Sequence, residues 1–233
     1  VPDVFVVIGT CHAGLDGGVA FTDKDFETPL GRVPVNRPLV DFIRKETGDA
    51  FFQEELMHIR EHSLELQLPF LQHALGEGCP FTILPVLCSF PPATLTGGEF
   101  QSLFERVDQF IAVTKRAIDA SGQQVCVIAS ANLAHIGIRY GDQKPPTDYS
   151  FHKCMQTDLE MLKKVEEVDP EGFAEFILKE GDSRKILGFS AIFSMLKLVK
   201  RGEAPLKGQV LRYDRGITDQ FNSTVTYASM VVV

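Results

Sequence analysis

Residues Val4–Ile8 read VFVVI and run directly into Gly9-Thr10-Cys11-His12-Ala13-Gly14. An unbroken apolar run rich in β-branched residues makes a strand with no polar face. Such a strand is covered on both sides, as in parallel sheets whose crossover helices lie over the two faces. Two further runs of this kind follow, Phe81–Leu87 (FTILPVL) and Val125–Ser130 (VCVIAS). Pro85 falls inside the second and predicts a bulge or an edge there. Helical patterns lie between the runs. Asn36 precedes Leu39, Val40, Phe42 and Ile43, and Gly48 closes that stretch. Phe100, Leu103, Phe104, Val107, Phe110 and Ile111 recur at helical spacing towards Ser121-Gly122. Asp169-Pro170 reads as a helix start, Gly188–Lys200 as another buried helix and Thr224–Val233 as a terminal strand. Gly141–Thr147 (GDQKPPT) reads as a surface loop. The alternation predicts an α/β protein: one domain over residues 1–233, folded as a three-layer α/β/α sandwich with a largely parallel or mixed central sheet.

Composition bounds the function. The 233 residues are 44% hydrophobic and 23% charged, the balance of a globular chain. A net charge of −8 and a pI near 5.3 argue against nucleic acid, whose phosphates demand a basic face. No apolar run approaches the length of about 18 that a membrane span needs, and no basic-then-apolar leader opens the chain. The chain starts at Val1 and not at Met, which reads as a piece whose native start is missing. Five cysteines, an odd number with no CxxC pair, suit reduced thiols and a cytoplasmic setting.

Ligands of open α/β sheets bind beyond the carboxyl ends of the strands. That rule selects Gly9–Gly14 after the first run and Asn132-Leu133-Ala134-His135-Ile136-Gly137 after the third. Each loop places a histidine, His12 or His135, where the two imidazoles converge if the strands are neighbours. A third pattern is His58-Ile59-Arg60-Glu61-His62, the H-x-x-E-H of inverted zinc proteases. On a helix it would set two imidazoles on one face, with Glu61 activating water. Glu61 and Glu65 would share a helical stripe among Leu64, Leu66, Leu68, Phe70 and Leu71, where a buried charge needs a partner. Cys11 is placed as a nucleophile or soft ligand, or as an inert buried thiol. There is no phosphate-binding Gly-Lys-Ser/Thr loop and no G-x-S-x-G elbow.

Phe5–Gly14 (FVVIGTCHAG), Lys24–Leu30 (KDFETPL), Glu61–Phe70 (EHSLELQLPF), Phe81–Leu87, Ile128–Gly137 (IASANLAHIG) and Thr224–Ser229 (TVTYAS) occur in the order seen in the Memo family. In bacteria the same family is called AmmeMemoRadiSam system protein B. The resemblance runs from Val4 onward. Memo proteins resemble the catalytic subunit of class III extradiol dioxygenases, which use non-haem Fe(II). The resemblance therefore implies that fold, a metal crevice at the strand ends, His12 as a metal ligand and His135 as acid/base residue. It also implies that Glu61, His62 and Cys11 border the cleft, that the cofactor is Fe(II) or copper, and that a radical-SAM protein is a partner.

Three departures from the family pattern bear on that expectation. The family's first ligand His lies in a P-H-A-G-Y segment before the first matched strand, upstream of Val1. Asn132 stands where the family usually has Asp. The third ligand, a Cys or carboxylate before the last strand, falls in Tyr213–Asn222 (YDRGITDQFN), where Asp219 is the nearest candidate and Asp214 the alternative. Two readings stay open: a metal-binding protein of redox or oxygen-linked chemistry, and a non-catalytic adaptor whose crevice holds a small molecule or peptide. The zinc peptidase built on His58 and His62 is a third.

Overall fold

The computed structural model describes residues 1–76, 79–200 and 206–233. They form two compact units, Val1–Ser130 with Ser190–Leu198, and Ala131–Phe189 with Val199–Val233. No described helix is long and apolar enough to cross a membrane.

The strands of the first unit are β1 (Val4–Thr10), β2 (Val19–Phe21), β3 (Phe26–Thr28), β4 (Gly31–Val33), β5 (Thr82–Cys88) and β6 (Val125–Ser130). Its helices include α1 (Arg37–Thr47), α2 (Met57–Arg60), α3 (Gln67–Leu75) and α4 (Gln101–Ser121). Four strands make one sheet in the order β2-β5-β1-β6, with β5, β1 and β6 parallel and β2 antiparallel. The three apolar runs are thus the three parallel strands. All seven residues of β1 are buried, as its lack of a polar face requires.

Pro85 sits at neither a bulge nor a sheet edge, because β5 keeps continuous register with β1 from Val4↔Thr82 to Thr10↔Cys88. The reason is local. Ile83 directs its N–H to the Pro34 carbonyl and accepts from the Asn36 N–H, so it faces away from β1. Two residues on, Pro85 faces the same way, into the gap between the Val35↔Ile83 bridge and the Phe21↔Val86 pair. Its missing N–H removes no bond to β1.

Helix boundaries follow the capping residues. Asn36 accepts the Leu39 N–H at 3.1 Å to start α1, and Gly48, at φ 60°, ends it. Leu39, Val40 and Ile43 are its buried face, and α1 packs against α4. α4 stops at Gly122 in the left-handed region.

The second unit holds β7 (His135–Ile136), α5 (Asp148–Glu166), α6 (Pro170–Lys179), β8 (Gly208–Ile217) and β9 (Thr224–Val232). α7 (Phe189–Val199) gives Ser190–Leu198 to the first unit, where Ser194 Oγ lies 3.7 Å from Cys88 Sγ. Asp169 caps α6 by accepting the Gly172 N–H at 3.0 Å. The sheet here, β7-β9-β8, is antiparallel throughout, while that of the first unit is parallel except for β2, so the protein carries the mixed pairing expected of it. A short turn joins β8 to β9, and a hairpin forces antiparallel pairing. Helices with mixed sheets make this an α/β protein. All five cysteines are free.

Candidate functional site

In the first unit the chain leaves β1 through Gly9 and Thr10. A Cβ on Gly9 would run into the Ser63 hydroxyl and Leu64, so glycine is what lets that segment lie across the strand end. The contact brings Glu61 to His12. Oε2 of Glu61 accepts the His12 backbone N–H at 2.7 Å, and Oε1 accepts the backbone N–H groups of His62 at 2.9 Å and Ser63 at 3.0 Å. His12 Nδ1 lies 3.0 and 3.1 Å from the two carboxylate oxygens, and His62 Nδ1 lies 3.2 Å from Oε1. The two imidazoles stack with centroids 5.0 Å apart. Glu61 is 6% exposed, while the side chains of His12 and His62 keep 33% and 62% of their surface. Ligand atoms of all three lie within 4.8 Å of one another, the one such group of His, Cys, Asp or Glu among the described residues.

Burial pushes the Glu61 carboxyl up, and the N–H donors of His12 and Ser63 more than offset it, so it stays below its ordinary 4.5. An ionised carboxylate only accepts, so the His12 ring presents Nδ1–H to it, which leaves Nε2 as the ring's ligand-type nitrogen. This is the carboxylate–histidine arrangement that orients metal-binding imidazoles. A carboxylate with two oxygens saturated by N–H groups is an orienting group; the ligand-type donors are imidazole nitrogens. Such donors fit Fe(II), copper or zinc.

Two expectations about this segment are corrected. α2 ends at Arg60, and Glu61 is extended at φ −107°, ψ 131°. Glu61 and Glu65 therefore do not share a helical stripe, and Glu65 is exposed. His58 and His62 do not share a helix face either. His58 is buried with Nε2 bonded to the Ala20 carbonyl at 3.0 Å, and its pKa is lowered by burial to about 4. The cause is the carboxylate itself: capturing the N–H groups of His62 and Ser63 holds the backbone out of helix. The peptidase geometry is absent. Cys11 is buried, with its Sγ 3.5 Å from the Gly14 carbonyl, and burial raises its pKa, so it is a thiol at neutral pH.

The strands before His12 and His135 are adjacent and parallel, with Gly9 paired to Ser130. His135 itself belongs to the second unit, paired with Val225 in the β7–β9 ladder. It is 4% exposed, and its Nδ1 is 3.0 Å from the Lys185 carbonyl and 3.1 Å from the Leu133 carbonyl. Two carbonyl partners require Nδ1–H, so any proton that His135 exchanges passes through Nε2. Gly137 follows at φ 115°, where a Cβ would strike Ser223. Asn132 Oδ1 is buried without a donor. Asp219 Oδ1 accepts the N–H groups of Phe221 at 2.8 Å and Ser223 at 2.9 Å, closing the turn before β9. Asp214 is taken up by the Arg215 N–H and the Arg212 guanidinium, both at 2.8 Å. Among the described residues, neither aspartate gathers with other ligand-type groups. Sequence reasoning missed Asp158, fully buried in α5. The available signal was a carboxylate on the apolar stripe of Cys154, Met161, Leu162 and Val165.

The chain matches the family described as Memo-like protein over residues 1–231. A MEMO1 family protein of Thermotoga neapolitana is 32% identical over 198 residues, covering 84% of this chain and 61% of the relative. Those of Methanosarcina barkeri and Pyrococcus abyssi are 27% and 28% identical, covering 99% and 100% of this chain and 76% and 77% of the relatives. The chain thus spans about three fifths of the length of its Thermotoga relative. With the match running through both units and relatives in bacteria and archaea alike, the chain belongs to the Memo-like protein family.

Proposed function

We propose that this chain carries a metal-binding crevice of the kind the Memo family shares with class III extradiol dioxygenases, with His12 as ligand through Nε2. The observation behind this reading is the buried, ionised Glu61, which fixes the His12 backbone and ring together and lies against His62. Fe(II) or copper held there would supply redox or oxygen-linked chemistry. Within the first unit Glu61 orients and His62 is the neighbouring imidazole; within the second, His135 and Asn132 are the acid/base and polar groups that the family resemblance puts forward.

Titration with Fe(II) and with Cu(II), followed by calorimetry, tests the proposal. His12→Ala is expected to lose uptake by at least about tenfold, the usual scale for weakening a metal site. Equal uptake in variant and parent discards the assignment.

A second reading, a non-catalytic crevice for a small acid or peptide, gains from Asp219. Its Oδ1 closes the turn before β9, and Asp219 is outside the one group of ligand-type side chains among the described residues. That reading expects no transition-metal uptake at all.

A further inference from the structure

His135 is not held by its own loop alone. Its backbone N–H donates to the Arg184 carbonyl at 2.7 Å, and its ring Nδ1 to the Lys185 carbonyl beside it. The preceding residues hang on Thr226: the Leu133 N–H donates to the Thr226 carbonyl at 2.8 Å and the Ala134 N–H to Thr226 Oγ1 at 2.9 Å. Both supports converge on one carboxylate. Asp158, with no exposed surface, binds the Arg184 guanidinium through Oδ1, and its Oδ2 accepts the hydroxyls of Thr226 at 2.6 Å and Tyr213 at 2.7 Å. Glu180 holds the guanidinium from the other side at 2.6–3.1 Å.

We infer that Asp158 is a positioning residue for His135, acting through Arg184 and Thr226 to set the place and tautomer of its imidazole. The polarity of the Thr226 hydroxyl carries the argument. A hydroxyl has one proton; given to Asp158, it leaves the lone pairs for the Ala134 N–H. An amide at position 158 must turn its oxygen to Arg184, which only donates, and so its NH2 to the Thr226 hydroxyl. That hydroxyl still accepts from the Ala134 N–H through its second lone pair, but its own proton and that of Tyr213 no longer have the carboxylate oxygen to go to. At least one buried hydroxyl proton loses its acceptor, so the Thr226 hydroxyl that holds the Ala134 N–H is no longer fixed; Thr226→Val removes that acceptor outright. A buried charge on the apolar stripe of α5 is otherwise unfavourable, since well-packed apolar groups do as well for stability. The inference rests on the proposed acid/base role of His135 for its functional meaning, but its test does not.

The test is long-range 1H–15N correlation of the imidazole rings in the full chain, without metal, for Asp158→Asn, Thr226→Val and Thr226→Ser. Parent and Thr226→Ser are expected to show His135 as the Nδ1–H tautomer. In Asp158→Asn and Thr226→Val the Nε2–H tautomer is expected to gain about fivefold in relative population, the factor carried by one lost neutral hydrogen bond. His152, exposed on the same helix as Asp158, stays unchanged. Thr226→Val is nearly isosteric and decides the matter if Asp158→Asn does not fold. An unchanged His135 in folded Thr226→Val overturns the inference, and so does an equal change at His152. Loss of His12-dependent metal uptake leaves this readout untouched, so failure of the metal proposal is distinguishable from failure of this one.

Discussion

Replacing Glu61 by Gln keeps size and shape and removes one acceptor. If the amide oxygen stays with the His62 and Ser63 N–H groups, the NH2 meets the His12 N–H, now 2.7 Å from Oε2. The other flip sets the NH2 against His62 and Ser63. Either way at least one buried backbone N–H loses a charge-assisted bond, worth about 1.5–3 kcal/mol. At roughly 2–4 °C per kcal/mol for a chain of this size, Tm falls by roughly 3–12 °C at pH 7. The deficit has a predicted pH dependence. The folded-state pKa of Glu61 lies below its ordinary 4.5, so the parent holds this stability above pH 4.5 and loses it as pH falls through the folded value. Glu61→Gln has none to lose, so the two Tm curves converge on acidification. Differential scanning calorimetry from pH 7 to 3 measures both. A Tm within about 1 °C of the parent at pH 7, or a gap that persists in acid, refutes the role given to this carboxylate.

His58 supplies a second, separate pH window. Burial drops its pKa from 6.5 to about 4, so the unfolded chain binds a proton that the folded chain refuses, and stability falls as pH drops from 6.5 to 4. The loss is roughly 3 kcal/mol, and in urea unfolding His58→Gln is expected to lack this part of the parent's slope over that window; a slope equal to the parent's would refute it. His58→Gln also leaves metal uptake unchanged, because His58 is turned to Ala20; reduced uptake would reinstate the H-x-x-E-H pairing. Gly9→Ala forces a methyl against Ser63 and Leu64 and costs about 1–3 kcal/mol in urea unfolding, with a neutral result showing that the segment yields. Asp158→Ala strips the buried Arg184 of one of its two carboxylates and costs about 3–5 kcal/mol; a loss below about 1 kcal/mol would mean that Glu180 suffices.

Much of the first unit was legible because its signals are local. The runs at Val4–Ile8 and Val125–Ser130 are strands whatever surrounds them; Asn36 and Asp169 start helices through bonds three residues on, and Gly48 and Gly122 end them at positive φ. The histidine loops followed from where strands end. What failed depended on distant partners. Periodicity places Glu61 and Glu65 on one helical stripe, since it cannot register that the Glu61 carboxylate turns back onto the His62 and Ser63 N–H groups while it also holds His12, 49 residues upstream. Pro85 carries an edge signal in its own chemistry, yet its tolerance depends on Pro34–Asn36 ending just short of it. Asp219, put forward as a ligand by the family resemblance, closes the turn before β9 through Oδ1. Asp158 joins α5 to Arg184, Tyr213 and Thr226, partners 26, 55 and 68 residues away, beyond any pattern of neighbours.

A buried carboxylate holds His12 Nδ1 and so reserves Nε2 as the nitrogen proposed to bind metal. X-ray absorption at the metal edge of the copper-loaded chain counts bound imidazoles directly. The expected result is one fewer imidazole in His12→Ala and the parent count in His58→Gln. An identical imidazole count in His12→Ala and the parent would contradict it.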